Sequence, residues 1–211
     1  MGKVGKVVIA ALALGLCYGA GVGIKHLLTQ AQEPAKDLVG VPETEYEQKR
    51  SGAAVSRNQA VFYYRAGTRL LNGGKFADAI KQFDQAIARH RNYPDAYANR
   101  AYARAALHDP AGAVEDMTNL LKIEPANPRA YAVRAQFRLL VGDPKLALDD
   151  YDMAIQLDPN SDSLFCGRAA VLEKAGDYKS AAADYNTALG INPRSTDAYN
   201  GLARCSGTLR R

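Results

Sequence analysis

Residues 128–161 read PRAYAVRAQFRLLVGDPKLALDDYDMAIQLDPNS, and residues 162–195 read DSLFCGRAAVLEKAGDYKSAAADYNTALGINPRS. Set one under the other, they align without a gap. Gly142-Asp143 falls over Gly176-Asp177, and Pro159 over Pro193, each pair 34 residues apart. The same spacing carried backward marks out blocks 94–127 and 60–93. Carried forward, it opens a fifth block at Thr196. A fixed period in this range is the mark of stacked supersecondary units.

Inside the blocks the recurring residues have a physical sense. The fourth position holds Tyr63, Tyr97, Tyr131, Phe165 and Tyr199, and the eighth holds Gly67, Ala101, Ala135, Ala169 and Ala203. The twentieth holds Ala79, Ala113, Ala147 and Ala181, and the twenty-seventh holds Ala86, Leu120, Ala154 and Ala188. Small residues at these places let two helices touch closely, with an aromatic ring filling the space beside them. Gly74, Gly142 and Gly176 predict the end of a first helix, because glycine accepts the left-handed turn conformation. Pro125, Pro159 and Pro193 predict the end of a second. Block 60–93 departs with Arg91 in place of that proline, and Leu120 departs in block 94–127. Each block is thus a helical hairpin that must stack on its neighbours to bury its apolar face.

The stretches YANRAYARAAL (97–107), YAVRAQFRLLVGD (131–143) and LALDDYDMAIQLDPN (146–160) resemble the tetratricopeptide repeat family, a resemblance covering residues 60–211. It implies an all-α fold: an α-solenoid of four stacked 34-residue hairpins with a capping helix at 196–211. The expected organisation is a membrane segment over 1–27, a polar linker over 28–58 and a repeat domain over 59–211. Glu43, Glu45 and Glu47 read as a helix start inside that linker.

Charge repeats in step. The seventh and eleventh positions carry Arg100 and Arg104, then Arg134 and Arg138, then Arg168 alone. The twenty-second and twenty-third carry Glu115 and Asp116, then Asp149 and Asp150, then Asp184 alone. The first block has neither. Two Arg four apart on one helix repel, unless carboxylates of the partner helix accept bidentate hydrogen bonds. The pairs expected are Arg100–Asp116, Arg134–Asp150 and Arg168–Asp184. An Arg-lined anion groove is the competing reading.

In the tetratricopeptide family the first helices of the hairpins line a concave side that receives a peptide or a partner helix. The resemblance places Tyr64, Thr68, Asp95, Asn99, Tyr102, Arg129, Gln136, Ser163 and Cys166 there. The family's carboxylate clamp is matched only by Asn99 and Arg129, with Tyr64, Thr68 and Val133 in its other slots, so a clamp is not expected. Tyrosine offers rigid contact area with a hydrogen-bonding tip.

Composition excludes several classes. The chain has 211 residues, 47% hydrophobic and 23% charged, with a net charge of +5. Residues 59–211 hold 20 basic and 17 acidic side chains, and residues 1–58 hold 7 and 5. Such dispersed charge does not suit a nucleic-acid binder, which clusters its basic residues. Cys17, Cys166 and Cys205 form no disulfide framework, and no Cys/His spacing suggests zinc. His26, His90 and His108 lie apart, and no catalytic constellation or cofactor motif is found. No enzyme, metal or cofactor is expected.

Residues 7–24 are uncharged and apolar, flanked by Lys3 and Lys6 on one side and Lys25 and His26 on the other. As a helix they span about 27 Å, enough for a bilayer core. An uncleaved transmembrane anchor is expected. The alternatives are a cleaved signal, leaving a secreted or periplasmic protein, and lipidation at Cys17, where Leu16 departs from the lipoprotein box. Myristoylation at Gly2 is disfavoured by Lys6. Gly15, Gly19 and Gly23 share one helix face and suit close helix association, a route to a homo-oligomer. Lys3, Lys6 and the N-terminal amine favour an inside N-terminus, against Lys25 and Lys36 on the other flank, and the repeats are expected on the extracytoplasmic side. The reading is a membrane-anchored adaptor that binds a partner protein. A periplasmic chaperone for a secretion or pilus subunit and a self-assembly module are the alternatives.

Overall fold

A computed structural model describes residues 43–209, and among these the regular structure is entirely helical. The helices are α1 (Glu43–Asn72), α2 (Phe76–Arg89), α3 (Pro94–Ala106), α4 (Pro110–Ile123), α5 (Pro128–Val141), α6 (Pro144–Leu157), α7 (Asp162–Lys174), α8 (Tyr178–Ile191) and α9 (Thr196–Leu209). From Ser51 onward the described residues cluster as one compact unit. Helices α3, α5, α7 and α9 begin at the first residue of their 34-residue blocks. Residues 7–24 with Gly15, Gly19 and Gly23, Cys17, and the pair Arg210 and Arg211 lie outside the described residues. No helix among the described residues is long and apolar enough to cross a membrane.

Helix α1 starts at the Glu43-Glu45-Glu47 run, within the stretch assigned to the linker, and continues unbroken into the first hairpin. The intervening residues are rich in Glu, Gln, Lys, Arg and Ala, all strong helix formers, and no proline falls after Pro42 to stop them. Proline occupies the first turn of α3, α4, α5 and α6, where its missing N–H costs nothing. Side chains cap several starts: Asp109 accepts from the Gly112 N–H at 2.9 Å, Asn127 from Ala130 at 3.0 Å and Asp177 from Ser180 at 3.1 Å.

The turn inside each hairpin needs one left-handed residue. Gly74, Gly142 and Gly176 supply it with φ of 72°, 95° and 84°. In the second hairpin His108 takes the same place with φ 62°, so the backbone accepts a strained side chain where the other hairpins use glycine. Proline after the second helix proves dispensable. Helix α2 ends at Arg89 without one, and α4, α6 and α8 end two residues ahead of Pro125, Pro159 and Pro193.

The small residues hold the helices together. Ala79, Ala86, Ala101, Ala113, Ala135, Ala147, Ala154, Ala169, Ala181 and Ala188 have no exposed surface. Between them lies a matched set of knobs and holes. Tyr151 of α6 fits over Gly167 of α7, and Tyr185 of α8 fits over Gly201 of α9. A methyl group at Gly167 would fall 2.5 Å from the Tyr151 ring. The corresponding residues of the second and third hairpins, Met117 and Val133, share one core cluster, with a smaller knob against a shallower hole that the Val133 side chain partly fills. Phe83 instead presses on Gly67 of its own hairpin. Full burial of such a side chain stabilises by roughly 1.5–3 kcal/mol.

Matched volumes predict coupled substitutions. Gly167→Val alone should destabilise by about 2–3 kcal/mol, from overpacking against the tyrosine ring. Combined with Tyr151→Met, which copies the Met117–Val133 pair, it should cost at least ~1 kcal/mol less than the two changes summed. Urea unfolding of the two single variants and the double variant gives the coupling. Simple additivity would show that the two sites do not share their space.

Candidate functional site

Each of the three later hairpins is pinned by a guanidinium. Arg134 donates from Nε to Asp150 Oδ2 at 3.0 Å and from Nη2 to Oδ1 at 2.7 Å. Arg168 holds Asp184 in the same fork, at 2.8 and 2.7 Å, and Arg100 holds Asp116. Arg104 and Arg138 bring a second cation to Asp116 and Asp150, at 3.2 and 2.7 Å. The third nitrogen of the fork reaches back one hairpin. Arg100 Nη1 meets Asp84, Arg134 Nη1 donates to Thr118 Oγ1 at 3.2 Å, and Arg168 Nη1 meets Asp152. The same guanidiniums lie over Tyr97, Tyr131 and Phe165, with Arg carbon to ring centre at 5.5, 5.5 and 5.8 Å. The first hairpin lacks this Arg, and Arg89 covers Tyr63 instead.

Burial opposes charge on these groups. It lifts the Asp116 carboxyl above its usual value, with Arg100 and Arg104 pulling the other way. Burial also works against the Arg100 cation, but hydrogen bonds to Asp116 and Asp84 outweigh it and keep the guanidinium protonated. With their charge paired to carboxylates inside the hairpins, these Arg residues form a structural ladder, not an anion-binding surface; the buried Nε of Arg138 alone finds no hydrogen-bond partner among the described residues.

The residues expected to bind a partner divide into two groups. Tyr64 and Thr68 are engaged within the fold: the Asn99 amide donates to Tyr64 Oη at 3.3 Å and to Thr68 Oγ1 at 3.2 Å, and Tyr64 packs 4.9 Å from the Tyr93 ring. The others meet along a run of three clefts. In the first, of about 260 Å³, Asp95, Asn99 and Tyr102 of α3 face Arg129 and Val133 of α5. Tyr102, Arg129 and Val133 also line the second, with Gln136 and Ser163. Ser163 continues into the third, beside Cys166. Tyr102 is 41% exposed and rests edge-on against Phe137 at 5.8 Å. Cys166 is half-buried, its Sγ 3.8 Å from Ser195 Oγ, and burial pushes its thiol up, away from a reactive thiolate.

Sequence reasoning missed Glu124, Asp158, Asp162 and Asp197, which also line these clefts. They sit at hairpin junctions and helix starts. Glu124 and Asp158 recur 34 residues apart, ahead of Pro125 and Pro159, a signal the search for small and aromatic positions passed over. Among the described residues no group of three or more His, Cys, Asp or Glu is placed to hold a metal ion.

A second ionic link fastens the last helix. Arg204 of α9 donates to Glu173 of α7 from Nε at 2.7 Å and from Nη2 at 3.0 Å, and Tyr185 Oη donates to the same carboxylate at 3.0 Å. The Arg204 hydrogen bond holds the Glu173 carboxyl below its ordinary value of 4.5, against a smaller opposing effect of burial.

Stacked helical hairpins of 34 residues with this pattern of small and aromatic positions define a helical repeat protein of the solenoid class. The tetratricopeptide repeat model matches residues 64–111, 100–162 and 166–206, and the chain belongs to that family. Its fold is similar to that of MamA (residues 41 to the end) from Desulfovibrio magneticus RS-1. There the TM-score is 0.65 at 18% identity, over 72% of this chain and 86% of that one. It is also similar to YrrB, a TPR protein with an unusual peptide-binding site, at 0.60 and 16% over 79% and 83%. The TPR domain of Sgt2 from Aspergillus fumigatus matches at 0.52 and 23% over 56% and 79%. No curated protein sequence matches the chain.

Two outcomes test the ionic links. Asp150→Asn, at a carboxylate 2% exposed, should cost about 3 kcal/mol by leaving two buried guanidiniums short of their partner. Asp152→Asn, whose side chain is 50% exposed, should cost under about 1 kcal/mol. Equal losses in urea unfolding would mean that burial does not set the strength of the ladder. Because the Glu173 value is depressed, its contribution is complete above 4.5 and is lost as pH falls through the lower folded value. Glu173→Gln should therefore lower the melting temperature at pH 7, and the gap to the parent should close in acid. A gap independent of pH would show that the ionised carboxylate is not what fastens α9.

Proposed function

We propose that the chain is a protein-interaction scaffold that takes an extended segment of a partner protein along the clefts of α3, α5, α7 and α9. The observation that carries this reading is the continuity of the three clefts through Tyr102, Arg129 and Ser163. They combine an exposed aromatic ring with amide and hydroxyl groups able to bond a peptide backbone. Such a mixture suits an extended chain better than a compact small molecule, which favours an enclosed apolar pocket. That YrrB, a protein of the same fold, has a peptide-binding site supports a peptide as the ligand. Residues 7–24 would hold this scaffold at a membrane, with the repeats on the extracytoplasmic side, and no reaction is assigned to it.

Selection of random short peptides on the full-length chain in detergent tests the groove. Peptides so obtained should lose about tenfold in affinity on Tyr102→Ala, on the order of 1.4 kcal/mol. They should be unaffected by Leu157→Ala, on the second helix of the third hairpin. Peptides indifferent to Tyr102 would sink the groove as the binding surface. Membrane attachment is tested separately, by whether the full chain resists alkaline extraction from membranes and loses that resistance when residues 7–24 are deleted.

A further inference from the structure

The groove carries an excess of negative charge, against the balance of the chain. The whole sequence has a net charge of +5, and residues 59–93 hold 6 basic side chains to 2 acidic. Residues 94–195, which form most of the groove, hold 11 basic and 14 acidic. Five carboxylates line the clefts: Asp95, Glu124, Asp158, Asp162 and Asp197. Their protein partners are neutral. Glu124 accepts from the Asn127 amide at 2.7 Å, Asp158 from the Asn160 N–H at 3.3 Å and Asp162 from the Asn192 amide at 2.9 Å. Among the described residues none of the five has a basic group within ion-pairing distance, whereas Asp84, Asp116, Asp150, Asp152, Asp184 and Glu173 all do.

Two cations reach the same clefts. Arg204 is committed to Glu173, which leaves Arg129 as the one guanidinium there without an ion-pair partner among the described residues. The chain thus neutralises the carboxylates that hold hairpins together and leaves those of the groove for a ligand. A cleft lined by charge of one sign raises the local concentration of the opposite sign and steers its approach. Phosphate-bearing ligands are repelled by the same field.

We propose that the segment taken by the groove is cationic: an extended stretch of a partner protein carrying several Lys or Arg side chains. Its backbone lies along Tyr102, Gln136 and Ser163, and its basic side chains reach Asp95 and Glu124 at one end and Asp162 and Asp197 at the other. This rests on the groove being the peptide site, and the experiment keeps the two ideas apart.

Three fluorescein-labelled peptides of one extended Ser/Leu sequence, differing only in whether several positions hold Lys, Ser or Glu, are titrated into the full chain in a neutral detergent. The Lys peptide should bind about tenfold more tightly than the Ser peptide, and the Glu peptide more weakly than both. Asp162→Asn with Asp197→Asn should weaken the Lys peptide by on the order of fivefold and leave the Ser peptide unchanged. Asp143→Asn with Asp149→Asn, exposed carboxylates outside the clefts, should change neither. If Lys and Ser peptides bind equally and both weaken in Tyr102→Ala, the charge preference is overturned while the groove stands. If no peptide responds to Tyr102→Ala, both ideas fall. Equal loss from the Asp143 and Asp149 changes would overturn the proposal in favour of a diffuse charge effect, and tightest binding of the Glu peptide would overturn it outright.

Discussion

A guanidinium locked onto a buried carboxylate, repeated three times, is the constraint around which the repeats are arranged. Asp116, Asp150 and Asp184 are the buried carboxylates among the described residues, and each lies where its two helices meet. A buried charge without a partner is intolerable, so the first helix of each of these hairpins must present its Arg at one place. That requirement fixes the rotation of one helix against the other. The apolar contacts, being non-directional, do not fix it alone. The same Arg then reaches the hairpin before and covers an aromatic ring of its own. One side chain sets the angle within a unit and the seat of that unit on its neighbour.

The scaffold and the groove use charge in opposite ways. Within hairpins each buried acid has a base. Along the clefts the acids are left to neutral amides and water. The separation is possible because the two sets sit at different points of the period: the structural pairs in the middle of helices, the groove carboxylates at helix starts and hairpin junctions. Substitution in one set therefore has little cause to disturb the other.

Much of this was legible in the sequence because the repeats serve as their own comparison. The 34-residue period, the small positions and the helical ends are local features, and four copies make them stand out from chance. The Arg and Asp counts rise and fall together from block to block, which points to the pairs the structure brings into contact. Other features cross block boundaries and were not visible. Tyr151 over Gly167 and Tyr185 over Gly201 join one hairpin to the next, and nothing in a single block announces them. His108 was hidden because histidine seldom takes a left-handed turn. Asp162 and Asp197, in first helical turns, were passed over because acids there are ordinary partners of the helix dipole; Glu124 and Asp158, just past helix ends, were passed over because an acid there does not by itself mark a groove. Tyr64 and Thr68 were assigned to the groove by the family resemblance, which could not foresee that Asn99 would engage both.

A protein made of near copies carries a hazard during synthesis: any first helix could settle against the wrong second helix. The unequal knobs and holes work against this. A tyrosine seated opposite Val133 would be crowded, and Met117 opposite Gly201 would leave a void, so a shuffled order of units is penalised at each misplaced joint. Near-repetition at the level of the helix is thereby reconciled with a single order of assembly.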